Sequence, residues 1–336
     1  MLSSRLAIRL ASLVGLLGLA LLASGATARA AEPAVEAKPA PVSRHVLLMG
    51  IDGLRPDALA KAKAPHLKGL IESGYYSDRC LVIGERHKAS DTVSGPGWAS
   101  ILTGVWADKH GIQNNKFEVV RTDKHPHFFK LLKSVKPQAR TISFDTWAPI
   151  KQHIVSGADV HESLPLPPPL PRGTALPAQL DRYDSIDALM EKRGVEVLGG
   201  EKPDVLFLYW HQIDEAGHNT AFHPDRAEYL QAVERVDARI GRVLKALEAR
   251  PTRATEDWLI LVTTDHGGRG NNHAGGQKDP ERYTGLLIVS GAAAAQGKAE
   301  SPTYIVDVVP TALTHLGVAL DPAWQLDGKV TGLRMR

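Results

Sequence analysis

An α/β fold, with a mostly parallel central sheet and helices on both of its faces, is predicted by three features of this 336-residue chain. Apolar runs of strand length recur along it, each nearly free of polar residues, as suits strands covered on both sides. Helical patterns lie between those runs. The alternation of the two is the arrangement that builds a parallel sheet through crossover connections.

The first thirty residues stand apart. Arg5 and Arg9 precede an apolar run from Leu10 to Ala23, and Ala28-Arg29-Ala30 offers a small-x-small cleavage site. The run is short for a membrane span and polar residues follow it at once. Residues 1–30 therefore read as a signal peptide, and the protein as exported, periplasmic or secreted, with no stable membrane span after cleavage. Residues 31–43, AEPAVEAKPAPVS, form a flexible Pro/Ala tether. The formal net charge of +3 rests on Arg5, Arg9 and Arg29, so the mature chain is neutral. A neutral chain carries no general electrostatic case for nucleic acid or anionic lipid. Cys80 is the single cysteine, which excludes an intrachain disulfide and a cysteine-based zinc site.

Residues 44–336 read as a single domain. Strands are expected at HVLLMGI (45–51), TISF (141–144), VLFLYW (205–210), WLILVT (258–263) and LLIV (286–289). A helix is expected over 56–73, headed by Arg55-Pro56-Asp57. Another is expected over 225–250, where Val233, Val236, Ile240, Val243, Leu244 and Leu247 recur at helical spacing as a core-facing stripe. SLPLPPPLPRGTALP (163–177) is barred by its prolines from central strand or helix and reads as a surface excursion. It belongs to an irregular insertion or small cap spanning roughly 116–178.

In open α/β sheets ligands sit beyond the carboxyl ends of the strands. The first strand ends at Asp52, the third leads to Asp214 and His218, and the fourth ends at Asp265-His266. His273 comes next, in a glycine-rich loop that cannot bury it by packing. Each residue alone has a plain structural role: Asp52 as a helix cap, Asp214 and His218 as an ordinary pair four apart. Together, three carboxylates and three imidazoles at one rim would repel or shift their ionisation without a cation. Two divalent ions resolve the conflict, zinc by donor type, with manganese or iron as substitutes. Asp214, His218 and His273 suit one ion; Asp52, Asp265 and His266 suit the other.

SDTVSGPGWASILTG (90–104) supplies a hydroxyl. Ser94 lacks a glycine two residues before it, so it is not a hydrolase nucleophile elbow. Pro96 fits the first turn of a helix through Trp98 and Leu102, whose N-terminal amides would attract an anion, with Gly95 and Gly97 leaving the approach open. Metal coordination is one of few ways to activate a serine, which makes Ser94 a fourth ligand and the candidate nucleophile.

The ordered set MGIDGLRPD, TVSGPGWASILTGVWADKHGI, DEAGH, TTDHGG and NNHAGG resembles the alkaline phosphatase superfamily, in its type I phosphodiesterase/nucleotide pyrophosphatase branch. The closing SPTYIVDVVPTALTHLGVALDPAWQLDGKV is similar to that superfamily's C-terminal pattern, and the resemblance runs from Arg44 onward. It implies an alkaline phosphatase-like catalytic domain with a two-zinc site. Asp52, Ser94, Asp265 and His266 would hold the nucleophile-side ion; Asp214, His218 and His273 would hold the other. It also implies an asparagine that bonds a non-bridging phosphoryl oxygen, matched best by Asn115, with Asn114 beside it. The chain departs from the branch in having Ser94 for threonine and Gly97-Trp98 for Asn-His, and Trp98 stands where sulfatases carry arginine. No phosphate-clamping base is singled out, although Arg86, Lys88, Lys116 and Arg269 lie nearby in sequence.

The implied activity is hydrolysis of a small-molecule phosphate ester, diester or monoester, through a phosphoseryl intermediate. Sulfate-ester or phosphonate hydrolysis on the same scaffold is the nearer alternative, and phosphotransfer to an alcohol is a further one. A non-catalytic exported metal- or phosphate-binding protein is the alternative from another class. His87, His125, His127, His153, His211 and His223 read as surface or supporting residues rather than ligands.

Overall fold

The computed structural model describes residues 42–334, apart from 85–87 and 156. The signal peptide, nearly all of the tether, Arg86 and His87 lie outside the described residues. In chain order the strands are β1 (Ser43–Ile51), β2 (Tyr75–Leu81), β3 (Thr141–Asp145), β4 (Val160–Ser163) and β5 (Val205–Trp210). They continue with β6 (Glu256–Thr263), β7 (Thr284–Ser290), β8 (Gly297–Lys298) and β9 (Thr303–Tyr304). The helices are α1 (Pro56–Lys61), α2 (Pro65–Ser73), α3 (Ser94–Thr103), α4 (Ala107–His110) and α5 (Phe128–Val135). After them come α6 (Leu176–Gly200), α7 (Gln212–Thr220), α8 (Ala227–Glu248), α9 (Pro280–Tyr283) and α10 (Val308–His315).

All nine strands join one sheet in the order β4-β3-β5-β1-β6-β7-β2-β8, with β9 also on β2. From β4 to β6 every pairing is parallel; β7 runs antiparallel to both β6 and β2. The side chains of each strand alternate between two faces. Val46, Leu48, Val205 and Phe207 enter a core with α3, α5 and α10, while Leu47, Met49, Leu206 and Leu208 enter a second core under α1, α2, α6 and α8. Strands covered on both faces must be apolar throughout, which is why these are readable as continuous runs.

Two expectations change. The helix expected over 56–73 is two helices: α1 ends where Ala62 turns extended (φ −61°, ψ 153°), and α2 starts at Pro65, which keeps Ala64 out of the helical region (φ −117°, ψ 70°). Within 116–178 the chain alternates regular and irregular pieces: β3 and β4 extend the parallel sheet and α5 packs on one face, whereas 164–175 lacks helix and strand. β2 (YYSDRCL) is not among the expected strands because its polar residues break the apolar run, its outer neighbours being only the short β8 and β9.

Trp98 is fully buried on α3 and lies over Gly50, where an added Cβ would stand 2.4 Å from its ring. Gly50→Ala should overpack this contact and lower stability by about 1–3 kcal/mol, read as a shifted denaturation midpoint with an unchanged slope.

Candidate active site

The three central strands β5, β1 and β6 lie side by side and parallel, so the segments leaving their carboxyl ends meet at one edge of the sheet. β1 ends at Asp52, and Gly53 takes a left-handed turn (φ 66°) that lets the chain pass the Asp214 backbone. An added Cβ at Gly53 would stand 2.9 Å from the Asp214 Cα. β5 leads through His211 into α7, which presents Asp214 and His218 one turn apart. β6 delivers Asp265 and His266, both buried, and the loop beyond returns His273 to the same point.

Arg55 holds these loops together from behind. Its guanidinium donates to the carbonyls of Phe222 (2.9 Å) and Gly268 (2.7 Å) and pairs with Asp57 and Glu281. Nothing in the sequence pattern marks Arg55 for this, because its partners come from segments far along the chain.

Each imidazole is oriented by a backbone carbonyl. His218 Nδ1 lies 3.0 Å from the Asn271 oxygen, His266 Nδ1 2.9 Å from that of Gly267, and His273 Nδ1 3.1 Å from that of Thr92. A carbonyl only accepts, so every Nδ1 carries the proton and every Nε2 of the neutral rings turns its lone pair inward. His266 Nε2 faces Asp52 Oδ1 and Asp265 Oδ2, each at 3.3 Å, and Ser94 Oγ, also at 3.3 Å. Asp214 lies 3.4 Å from His218 Nε2 and 3.6 Å from His273 Nε2, and those two nitrogens stand 3.0 Å apart.

Acceptors facing acceptors require a cation between them. Asp52 Oδ1, Asp214 Oδ1 and Asp265 Oδ2 are buried without a hydrogen-bond partner among the described residues, a condition few native groups tolerate. Donor atoms of Asp52, Asp265 and His266 form one group within 4.8 Å of one another, and those of Asp214, His266 and His273 a second. The set therefore fits divalent metal ions, with His266 lying in both groups. His218 reaches the second group through Asp214 and His273.

Without a cation, protons take over this role. Burial, then the neighbouring Asp214 charge, raises the Asp52 carboxyl; burial, then Asp52 and Asp214, raises Asp265 well above the carboxylate range. Burial also opposes ionisation of Asp214, but the hydrogen bond from His218 and the charges of His266 and His273 pull it far down. That same bond raises His218 to about 9, while burial and then His266 lower His273 to about 3.

The nucleophile candidate stands within reach of these groups. Ser94 is the first residue of α3 and only 7% exposed, at the lip of the Asp52/Asp265/His266 group. The flanking glycines do not open the approach, contrary to expectation. A Cβ at Gly95 would stand 2.8 Å from Asn115 Oδ1, and one at Gly97 2.6 Å from the Asp265 carbonyl, so both glycines let α3 sit tightly against the site. The helix also offers fewer free amides than expected. Gly95 N–H goes to Asn115 Oδ1 (2.6 Å), Gly97 N–H to Val93, and Pro96 has none.

That first bond separates the two asparagines. Asn115 is the one beside Ser94, while Asn114 Oδ1 only accepts from the Lys116 amide. The loop carrying Asn115 is tied to α3 by His110, which accepts from Ile112 N–H through Nδ1 and meets Ser100 Oγ through Nε2. Among the basic residues near in sequence, Arg269 is paired with Asp279 and Glu281, and Lys116 with Glu118.

A family model described as type I phosphodiesterase / nucleotide pyrophosphatase matches residues 46–295. The bis(5'-adenosyl)-triphosphatase ENPP4 of Bos taurus is 25% identical over 227 residues, covering 66% of this chain and 47% of its own length. The chain thus spans about half the length of the curated relatives it matches. A structure of murine ectonucleotide pyrophosphatase / phosphodiesterase 5 with AMP has a TM-score of 0.58 at 13% identity, covering 83% of this chain and 96% of that one. The phosphonate monoester hydrolase of Silicibacter pomeroyi has a TM-score of 0.57 at 20% identity, covering 86% and 76%. At such identities these two likenesses concern the fold.

Because the metal-free cluster holds a proton on His218 and raises the Asp265 and Asp52 carboxyls, uptake of zinc should release protons, and affinity should weaken as pH falls. Titration calorimetry in buffers of different ionisation enthalpy measures the release; a proton count of zero at neutral pH would contradict this electrostatic account.

Proposed function

The chain belongs to the type I phosphodiesterase/nucleotide pyrophosphatase family, and from that membership and the geometry of the rim we propose an exported, metal-dependent hydrolase of small phosphate esters working through a phosphoseryl intermediate. The observation that carries this reading is Ser94 Oγ, 3.3 Å from His266 Nε2 at the edge of three converging acceptors. Export rests on the leader-like segment before Ala31. No helix among the described residues is long and apolar enough to cross a membrane.

Asp52, Ser94, Asp265 and His266 would hold one divalent ion, and Asp214, His218 and His273 the other, zinc being the metal their oxygen and nitrogen donors suit best. When bound, such a pair lowers the pKa of the serine hydroxyl and neutralises charge on the entering and leaving oxygens. Ser94 Oγ, its proton lost, attacks phosphorus in line; the Oγ–P bond forms as the bond to the leaving oxygen breaks. Water then attacks the phosphoserine from the opposite side and Ser94 Oγ departs. Asn115 Oδ1 accepts from the Gly95 amide, and its Nδ2 would donate to a non-bridging oxygen. The α3 dipole adds to this at the same end.

Trp98 bears on the alternatives. It stands at the position of the sulfatase arginine and the diesterase histidine, yet it is fully buried and its indole donates to Asp52 (3.1 Å). It serves the metal centre from below, so sulfate-ester hydrolysis loses its characteristic side chain. Recognition of the leaving group falls to other residues of the rim.

Ser94→Ala should reduce turnover of aryl phosphate diesters and monoesters to background while metal content, read by elemental analysis, stays near that of the wild type. A variant with wild-type kcat would remove Ser94 from the reaction. Rates on matched diester, monoester, phosphonate and sulfate substrates should rank the sulfate last. Asn115→Ala should lower kcat by about 10²–10³-fold, the effect of losing one donor to a developing charge, with metal content unchanged.

A further inference from the structure

We propose that Tyr209 is a positioning residue for Asp52, itself oriented by His211 and Glu215, so that one oxygen of Asp52 is turned away and the other faces the metal centre. This rests on the metal-centre reading above and extends it to three residues that are not ligands.

The two oxygens of Asp52 have unlike surroundings. Oδ2 accepts from the Tyr209 hydroxyl at 2.6 Å and the Trp98 indole at 3.1 Å. Oδ1 has no hydrogen-bond partner among the described residues and lies 3.3 Å from His266 Nε2. A free carboxylate could rotate and exchange these roles. The phenol and indole prevent it, being buried and packed edge to face, with ring centres 5.2 Å apart.

Tyr209 is held in turn. Its hydroxyl has one hydrogen, which goes to Asp52, so the 3.0 Å contact with His211 Nδ1 must be donated by the ring. At the other side of that ring Nε2 lies 3.1 Å from Glu215 Oε1, an acceptor when ionised. The His211 ring therefore bridges Tyr209 and Glu215 through its two nitrogens. Burial would lower this imidazole, but the Glu215 hydrogen bond and carboxylate, followed by Asp52, outweigh it and raise His211. The ring is fixed further by its own backbone N–H, which donates to buried Asp187 (2.9 Å). A chain of hydrogen bonds thus runs from a partly exposed glutamate through imidazole and phenol to a buried metal-facing carboxylate.

Partners of this kind are worth about 10–100-fold in metal affinity. Zinc binding to metal-free Tyr209→Phe, His211→Gln, Glu215→Gln and the Tyr209→Phe/His211→Gln double variant would be measured by chelator competition. Circular dichroism and thermal unfolding of each metal-free protein report folding. Tyr209→Phe should weaken one of the two ions by about 10–100-fold and leave the other within a few-fold. Glu215→Gln, remote from Asp52, should weaken the same ion by less. Once Tyr209→Phe is present, His211→Gln should add little, since the relay is already cut. A folded Tyr209→Phe protein that binds both ions as tightly as wild type overturns the relay alone. Additive losses in the double variant overturn the coupling through Tyr209. Wild-type protein that takes up neither ion overturns the metal centre and the relay with it.

Discussion

Three carboxylates and three imidazoles occupy one small volume at the end of the central sheet, and their donors point the wrong way to satisfy one another. Backbone carbonyls of Thr92, Gly267 and Asn271 claim each Nδ1 proton, so the Nε2 atoms present lone pairs to carboxylate oxygens. Desolvated acceptors cannot remain in that arrangement unless a cation or bound protons lie among them. The strand order, the tight turn at Gly53 and the loops behind the site all serve to hold groups together that would otherwise separate.

The restraint comes from several directions. From behind, Arg55 straps the loops after β1, α7 and β6 through carbonyls and two carboxylates. The Tyr229 hydroxyl contributes too, donating to the Gly53 carbonyl and accepting from the Arg55 amide at 3.2 Å. From below, Trp98 and Tyr209 hold one oxygen of Asp52. From the side, α3 presses its first turn against Asp265 and Asn115, a closeness that only glycine permits at positions 95 and 97. A centre supported in this way needs little rearrangement during reaction, which is the condition for electrostatic stabilisation of a transition state.

The same packing accounts for the side chain at position 98. Gly97 and Trp98 stand where the branch has a polar pair, but Trp98 points into the sheet over Gly50 rather than outward. There its indole donates to Asp52 at 3.1 Å. From Asn115 the chain continues into an aromatic segment. There Phe117 adopts a left-handed backbone conformation (φ 55°) and stacks on His153 with ring centres 4.4 Å apart.

Much of this protein is legible in its sequence. The strands 45–51, 205–210 and 258–263 are readable because burial on both faces demands unbroken apolar runs, and the residues after them because ligand chemistry at a strand tip is a local property. Asp52, Asp214, His218, Asp265 and His266 can be picked out on that basis, Ser94 by the Gly/Pro-flanked helix start it heads and His273 by its glycine-rich loop, and the structure brings them together. Other features depend on contacts between distant segments. The break between α1 and α2 divides an apparently continuous helix, and β2 pairs into the sheet despite its polar composition. Asn115 is separated from Asn114 only by the position of the Gly95 amide. Tyr209 looks like one more apolar strand residue, and its role depends on Asp52, 157 positions earlier. Sequence alone determined which chemical groups are present at the sheet's edge, since side-chain identity is covalent. Tertiary structure decided which nitrogen, oxygen or hydroxyl of each group faces the centre, since that choice belongs to hydrogen-bond partners supplied from elsewhere in the fold.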